Sequence, residues 1–185
     1  MIIVICGTVG AGKGAVTRYL MLKGFKHYSA RKYLSGILKE RGMKLDRNNL
    51  INLANELRRR SSIHITEKLL EMAQKQRGDC VIESVRTVNE IKPIKDMEES
   101  CLLAIDADRE IRYKRIKGRG AETDNISFEE FIADDEREWK NPDPDKVNIG
   151  ACIEMADFKL VNNGTMDELH KKIDEILEII KSKTF

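Results

Sequence analysis

Seven residues near the start of the chain carry the most specific chemical signal. Gly7-Thr8-Val9-Gly10-Ala11-Gly12-Lys13 follows an apolar run, Met1–Cys6, and leads into a helical pattern. Glycines let successive backbone N–H groups curl around one anion. A helix that starts directly after them adds the partial positive charge of its N-terminus. Lys13, at the helix entrance, reaches the outer phosphates of a polyphosphate. The cradle therefore runs through Gly7, Thr8, Val9, Gly10, Ala11, Gly12, Lys13, Gly14 and Ala15. A serine or threonine directly after the lysine would meet magnesium, but Gly14 stands there, and the nearest hydroxyl is Thr17. Any Mg2+ must then be held mainly by phosphates, waters and carboxylates acting through those waters.

Two further segments bring charges that suit a polyphosphate. Cys80-Val-Ile-Glu83-Ser84-Val85-Arg86 reads as a buried strand with an acid at its tip and an arginine three residues on. Glu83 either organises magnesium-bound water or accepts a proton from an acceptor hydroxyl. Arg86 can grip a phosphate with two parallel hydrogen bonds. Further on, Arg109, Arg112, Lys114, Arg115, Lys117 and Arg119 stand against one acid, Glu110. Arg112, Arg115 and Arg119 recur at spacings of three and four, which is one helical face. With Gly118 and Gly120 as a hinge, that face can close over transferring phosphates and exclude water. The acids Glu129, Glu130, Asp134, Asp135, Glu136 and Glu138 follow, suited to pairing with the basic helix when no ligand is bound. Arg137 is a further candidate phosphate contact. Trp139 is expected to pack the lid helix.

The elements that must position these groups alternate between strand and helix. Met1–Cys6, Cys80–Glu83, Leu102–Ile105 and Phe158–Val161 read as buried strands, with a short one at His27–Tyr28. Helical patterns cover Gly14–Leu22, the stretch after a Ser29 cap to Glu40, 48–59, 62–76, Val88–Glu98, Arg109–Lys117 and Gly150–Met155. Ser127-Phe-Glu-Glu130 and Thr165-Met-Asp-Glu168 are capping boxes that open two more. Strands separated by helices imply an α/β fold, a central parallel sheet with helices on both sides. Ligands in such folds bind beyond the carboxyl ends of the strands. Gly7–Gly14, Glu83–Arg86 and Asp106–Asp108 all fall at those ends.

With 185 residues, the chain has the size of one domain, 1–185, able to bury a core without staples. Thirty-three basic residues against 31 acidic give +2, so no global field draws nucleic acid or acidic lipid. The longest apolar run is too short to span a membrane and lacks the features of a signal peptide. Cys6, Cys80, Cys101 and Cys152 form no Cys-x-x-Cys pair and read as buried thiols of a reducing cytoplasm. His27, His64 and His170 show no metal-ligand spacing.

Together these residues resemble the P-loop kinase superfamily, specifically its nucleoside monophosphate kinase (adenylate kinase-like) and dephospho-coenzyme A kinase branch. The resemblance runs from Gly7 to the terminal helix. Gly-Lys-Gly is typical of nucleoside monophosphate kinases, although these usually carry threonine where this chain has Ala15. Ser-Ala-Arg near residue 30, Ile-Glu-Ser-x-Arg near 85 and Asn-Asn-Gly near the end are similar to a less characterised group within that branch.

The resemblance implies a three-layer sandwich with a small helical lid at about 116–145 and an acceptor-binding helical region at about 29–76. It implies ATP as phosphoryl donor with Mg2+, and a nucleoside or deoxynucleoside monophosphate as acceptor. Lys13, Glu83, Arg86, Arg115 and Arg119 would be catalytic, with Glu83 reaching the metal through water. Ser29, Arg31 and Arg58 would meet the acceptor with Arg86. Glu90 lies where such kinases carry a base-reading glutamine. Asn162 after the last strand would face adenine or simply form a turn. Two alternatives stay open: transfer to a hydroxyl of dephospho-coenzyme A or a nucleoside, and a nucleotide-binding regulator without catalysis. The expected partner is a small phosphate acceptor, with no nucleic acid and no membrane. The sequence leaves monomer or homodimer open.

Overall fold

The computed structural model describes residues 1–76, 78–83, 85–120 and 126–183. Five strands, β1 (Ile2–Gly7), β2 (Lys26–Ser29), β3 (Cys80–Glu83), β4 (Ser100–Asp106) and β5 (Phe158–Val161), form one sheet in the order β2-β3-β1-β4-β5. Every pairing is parallel. The glycine-rich loop therefore leaves the central strand, with the tips of β3 and β4 on either side.

Helices connect the strands: α1 (Lys13–Leu22), α2 (Ala30–Glu40), α3 (Arg47–Arg60), α4 (His64–Lys75) and α5 (Val88–Lys95) in the first part. The second part adds α6 (Arg109–Arg119), α7 (Phe128–Trp139), α8 (Ile149–Glu154) and α9 (Met166–Lys183). The residues 121–125 of the expected lid lie outside the described residues, as does Ser84 of the β3 motif.

Strand alternation divides the core between the two faces of the sheet. Ile2, Val4, Cys6, Ile82 and Leu102 pack with α2, α3, α4, α5 and α8. Ile3, Ile5, Val81, Leu103 and Ile105 pack with Val16 and Leu20 of α1 and with Leu169, Ile173 and Leu177 of α9. Both faces of β1 are thus covered, which is why its sequence is apolar throughout. Burying each such side chain contributes about 1.5–3 kcal/mol.

Local signals set several helix starts. Ser29 accepts a hydrogen bond from the Lys32 N–H, and Ser127 and Glu130 complete a capping box. The helix expected over Val88–Glu98 closes earlier, at Lys95, with Asp96 as its C-cap. All four cysteines are buried and free. Burial pushes the thiols of Cys6, Cys101 and Cys152 up to about 12, so they are not poised as nucleophiles. No helix among the described residues is long and apolar enough to cross a membrane.

Candidate active site

The glycine-rich loop is shaped by positions where a side chain has no room. Gly7 has φ +136°, and a Cβ there would lie 1.9 Å from the Ile105 carbonyl oxygen. Gly12 has φ +103°, and its Cβ would lie 2.4 Å from Asn162 Nδ2. Glycine is the residue that tolerates both the left-handed backbone and the close approach. Lys13 follows at the start of α1. Its Nζ donates to the carbonyls of Gly7 (2.9 Å) and Thr8 (2.7 Å). Burial, together with the nearby Arg86 charge, lowers its pKa from 10.5 to about 8, while Glu138 and Glu83 oppose the shift.

A cavity of about 530 Å³ opens over this loop. Val9, Gly10, Gly12, Lys13, Gly14 and Ala15 form one wall, and Arg18, Glu83, Arg86, Arg115, Ile116 and Arg119 form the rest. Five residues expected to be catalytic, Lys13, Glu83, Arg86, Arg115 and Arg119, thus meet around one space, although they span more than half of the chain. Four of the charged groups lining it besides Lys13 are arginines, which suits a polyanion.

Each of these groups is tied to its surroundings. Arg115 Nη1 donates to the Asn162 carbonyl at 2.9 Å and the Ala11 carbonyl at 3.4 Å. Arg86 Nη1 donates to Glu138 Oε1 on α7 at 3.0 Å. Glu83 Oε2 lies 3.0 Å from His27 Nε2 on the neighbouring strand. That nitrogen is buried and makes no hydrogen bond.

Several expectations need correction. Arg112 does not face the phosphates. It is 3% exposed and bound to Asp135 of α7 by two hydrogen bonds of 2.6 and 2.8 Å. It also donates to the carbonyls of Ala107 and Val9 and sits over the Phe131 ring. Arg112 is thus a clamp between α6, α7 and the glycine-rich loop, because a buried guanidinium must satisfy its donors internally. Arg137 turns to solvent and pairs with Asp134. Glu90 does not reach a base. Its Oε2 accepts from the N–H groups of Arg86 and Thr87, and its Oε1 accepts from the Thr66 hydroxyl. Thr87 and Glu90 form a capping box through Oε2, and with the Thr66 bond both carboxylate oxygens are used inside the protein.

Of the expected acceptor residues Arg86 lines the cavity, whereas Ser29, Arg31 and Arg58 do not. Ser29 is spent as the N-cap of α2, while Arg31 and Arg58 stand exposed on α2 and α3. Asn162 is buried, and its Nδ2 donates to the Ala11 carbonyl at 2.8 Å. Its backbone N–H donates to the Asp106 carbonyl, and its own carbonyl takes Arg115. Asn162 therefore braces the loop rather than offering its groups to adenine.

Sequence reasoning placed Asp106 at a strand tip but gave it no role. The Thr8 hydroxyl donates to Asp106 Oδ1 at 2.6 Å, which ties the loop to β4. Arg18 also lines the cavity, and its signal was a position five residues beyond Lys13 on the same helix. Among the described residues there is no group of three His, Cys, Asp or Glu side chains that could hold a metal. Gly14 and Ala15 bring no hydroxyl, and the carboxylate of Glu83 opens on the cavity. This donor set fits a Mg2+ carried by phosphates and waters, with Glu83 acting through a water.

A family model described as an AAA domain matches residues 3–140. A UPF0200 protein of Thermococcus onnurineus is 29% identical over 188 residues, covering 97% of this chain and 98% of that protein. The dephospho-CoA kinase of Campylobacter jejuni has the same fold, with a TM-score of 0.59 at 17% identity, over all of this chain and 98% of its own. A shikimate kinase of Bacteroides thetaiotaomicron gives a TM-score of 0.61 at 10% identity, over 96% of this chain and 98% of its own. The chain belongs to the AAA domain family, and its fold is that of the P-loop kinases.

Proposed function

We propose that the protein is an ATP-dependent phosphotransferase acting on a small phosphate-bearing acceptor, with a nucleoside or deoxynucleoside monophosphate as the preferred class. The carrying observation is the convergence of Lys13, Glu83, Arg86, Arg115 and Arg119 on one cavity over the glycine-rich loop. An acceptor phosphate oxygen attacks the γ-phosphorus of ATP, the β–γ bridging bond breaks, and ADP leaves with the bridging oxygen. Lys13, Arg115 and Arg119 offset the negative charge that spreads over the transferring group. To reach the phosphates, Lys13 gives up its hydrogen bonds to the Gly7 and Thr8 carbonyls. Arg86 holds the acceptor phosphate. Mg2+ carried by the nucleotide would add positive charge there, and Glu83 would hold it through a water.

A second reading, transfer to a hydroxyl, is favoured by one observation: Glu83 lines the cavity as its one carboxylate among the described residues, with the His27 imidazole 3.0 Å from its Oε2. A hydroxyl must lose a proton, and Glu83 is the group placed to take it. Phosphorus NMR of products from nucleoside monophosphates, nucleosides and dephospho-coenzyme A, each with ATP and Mg2+, separates the readings. A new β-phosphate on the acceptor supports the first. A phosphomonoester on a former hydroxyl replaces it with the second, and no acceptor-dependent ADP contradicts both.

A further inference from the structure

Arg86 is held at its backbone and at one nitrogen of its guanidinium. Its backbone N–H donates to the buried Glu90 carboxylate at 3.0 Å, and its carbonyl accepts from the Asn148 N–H at 2.9 Å. Its guanidinium gives one donor, on Nη1, to Glu138 at 3.0 Å. Arginine carries five N–H donors, and among the described residues this is the one side-chain bond of Arg86, so the rest of the fork is available to a ligand in the cavity that Arg86 lines.

Glu138 itself is held in place from behind. Asp135 lies three residues earlier on α7, roughly on the same face. It is 7% exposed and locked to Arg112, whose own side chain is 3% exposed. Arg109 adds a second pairing to Asp135 at 3.2 Å. The α7 backbone is thus pinned to α6, and Glu138 meets Arg86 without any helix having to move.

We infer that Glu138 is a positioning residue for the phosphate-gripping Arg86: it binds one guanidinium nitrogen so that the remaining donors face the acceptor's phosphate. This rests on the phosphotransferase reading above. A long side chain loses rotamer freedom when it grips a ligand, and an arginine already oriented loses less. The opposite role for the same carboxylate would be that of a competitor, which an incoming phosphate must displace. The two roles differ in what an uncharged acceptor of hydrogen bonds does at position 138. Glutamine can still accept from Nη1 and so preserves positioning, but it removes the competing charge.

The test titrates phenyl phosphate into the full chain by calorimetry, with a non-hydrolysable ATP analogue and Mg2+ already bound. Glu138→Ala should weaken phenyl phosphate roughly two- to fivefold, the range of a partly exposed ion pair. Glu138→Gln should restore affinity to within about twofold of the wild type, because its carbonyl keeps the bond. In an Arg86→Ala background, Glu138→Ala should make no further difference, since nothing remains to be positioned. Unchanged thermal melts show that the fold is not the cause. Tighter binding in both Glu138 variants makes the carboxylate a competitor and overturns the inference. So does a loss that persists without Arg86. If the ATP analogue does not bind, the phosphotransferase reading fails separately, and the Arg86-dependent affinity is read on the unloaded chain with the same criteria.

Discussion

Lys13 and Arg115 meet a cavity whose floor is tied to three strand tips, whereas Arg31 and Arg58 stand exposed on the outer surfaces of α2 and α3. On the phosphate side, Thr8 binds Asp106 at the end of β4, and Asn162 binds Ala11 from the end of β5. Glu83 is itself the end of β3. On the other side, Leu34, Leu38, Leu53 and Leu57 bury the inner faces of α2 and α3, and the arginines point away from that core. Charge stabilisation in phosphoryl transfer depends on groups already oriented before the reaction. The groups around the glycine-rich loop are thus braced by the sheet, whereas Arg31 and Arg58 are held by no such bracing among the described contacts.

The strongest way to break this contrast is Lys13→Ala. It should lower ATP-dependent transfer by about a hundredfold or more, with circular dichroism unchanged. Near-normal turnover in the folded variant would remove Lys13 from the chemistry. Arg115→Ala and Arg119→Ala should follow, raising the barrier by roughly 2–4 kcal/mol each while ATP affinity falls much less. Turnover compared with directly measured affinity checks this, and equal losses would mean ordinary ground-state binding.

The pH response of Lys13 sharpens the comparison further. Its folded pKa of about 8 lies below the ordinary 10.5, so the buried charge opposes folding in full below pH 8. Between pH 8 and 10.5 the unfolded chain binds more protons, and this opposition is relieved as pH rises. Binding an anion reverses the preference and favours the charged lysine. ATP affinity should therefore fall above pH 8, and binding at pH 8 should take up as much as about half a proton. Calorimetry in buffers of different ionisation enthalpy measures the uptake, which Lys13→Ala should abolish. The smallest effects belong to Arg31→Ala and Arg58→Ala. Stability should stay within about 0.5 kcal/mol, as at other exposed surface positions. Urea unfolding checks that, and a larger change would give these arginines a structural partner.

The phosphate loop was legible because its signal lies in consecutive residues, with Gly12 and Lys13 set between a strand and a helix. The parallel sheet was legible too, since apolar runs with both faces covered recur between helical patterns. Arg112 was misread because spacing places it near Arg115, but a partner 23 residues away, Asp135, decides where it points. Asn162 was misread for the same reason, its partner Ala11 being 151 residues away. Glu90 is different. Thr87-Val-Asn-Glu90 spells a capping box, so its structural role could have been read locally.

Backbone amide shifts on titrating ATP with Mg2+ into the labelled chain test the central contrast most directly. The account predicts the largest changes at Gly7–Ala15, with further changes at Arg86, Arg115 and Asn162, and small ones at Arg31 and Arg58. Large shifts confined to 29–60, with the Gly7–Ala15 amides unmoved, would contradict it.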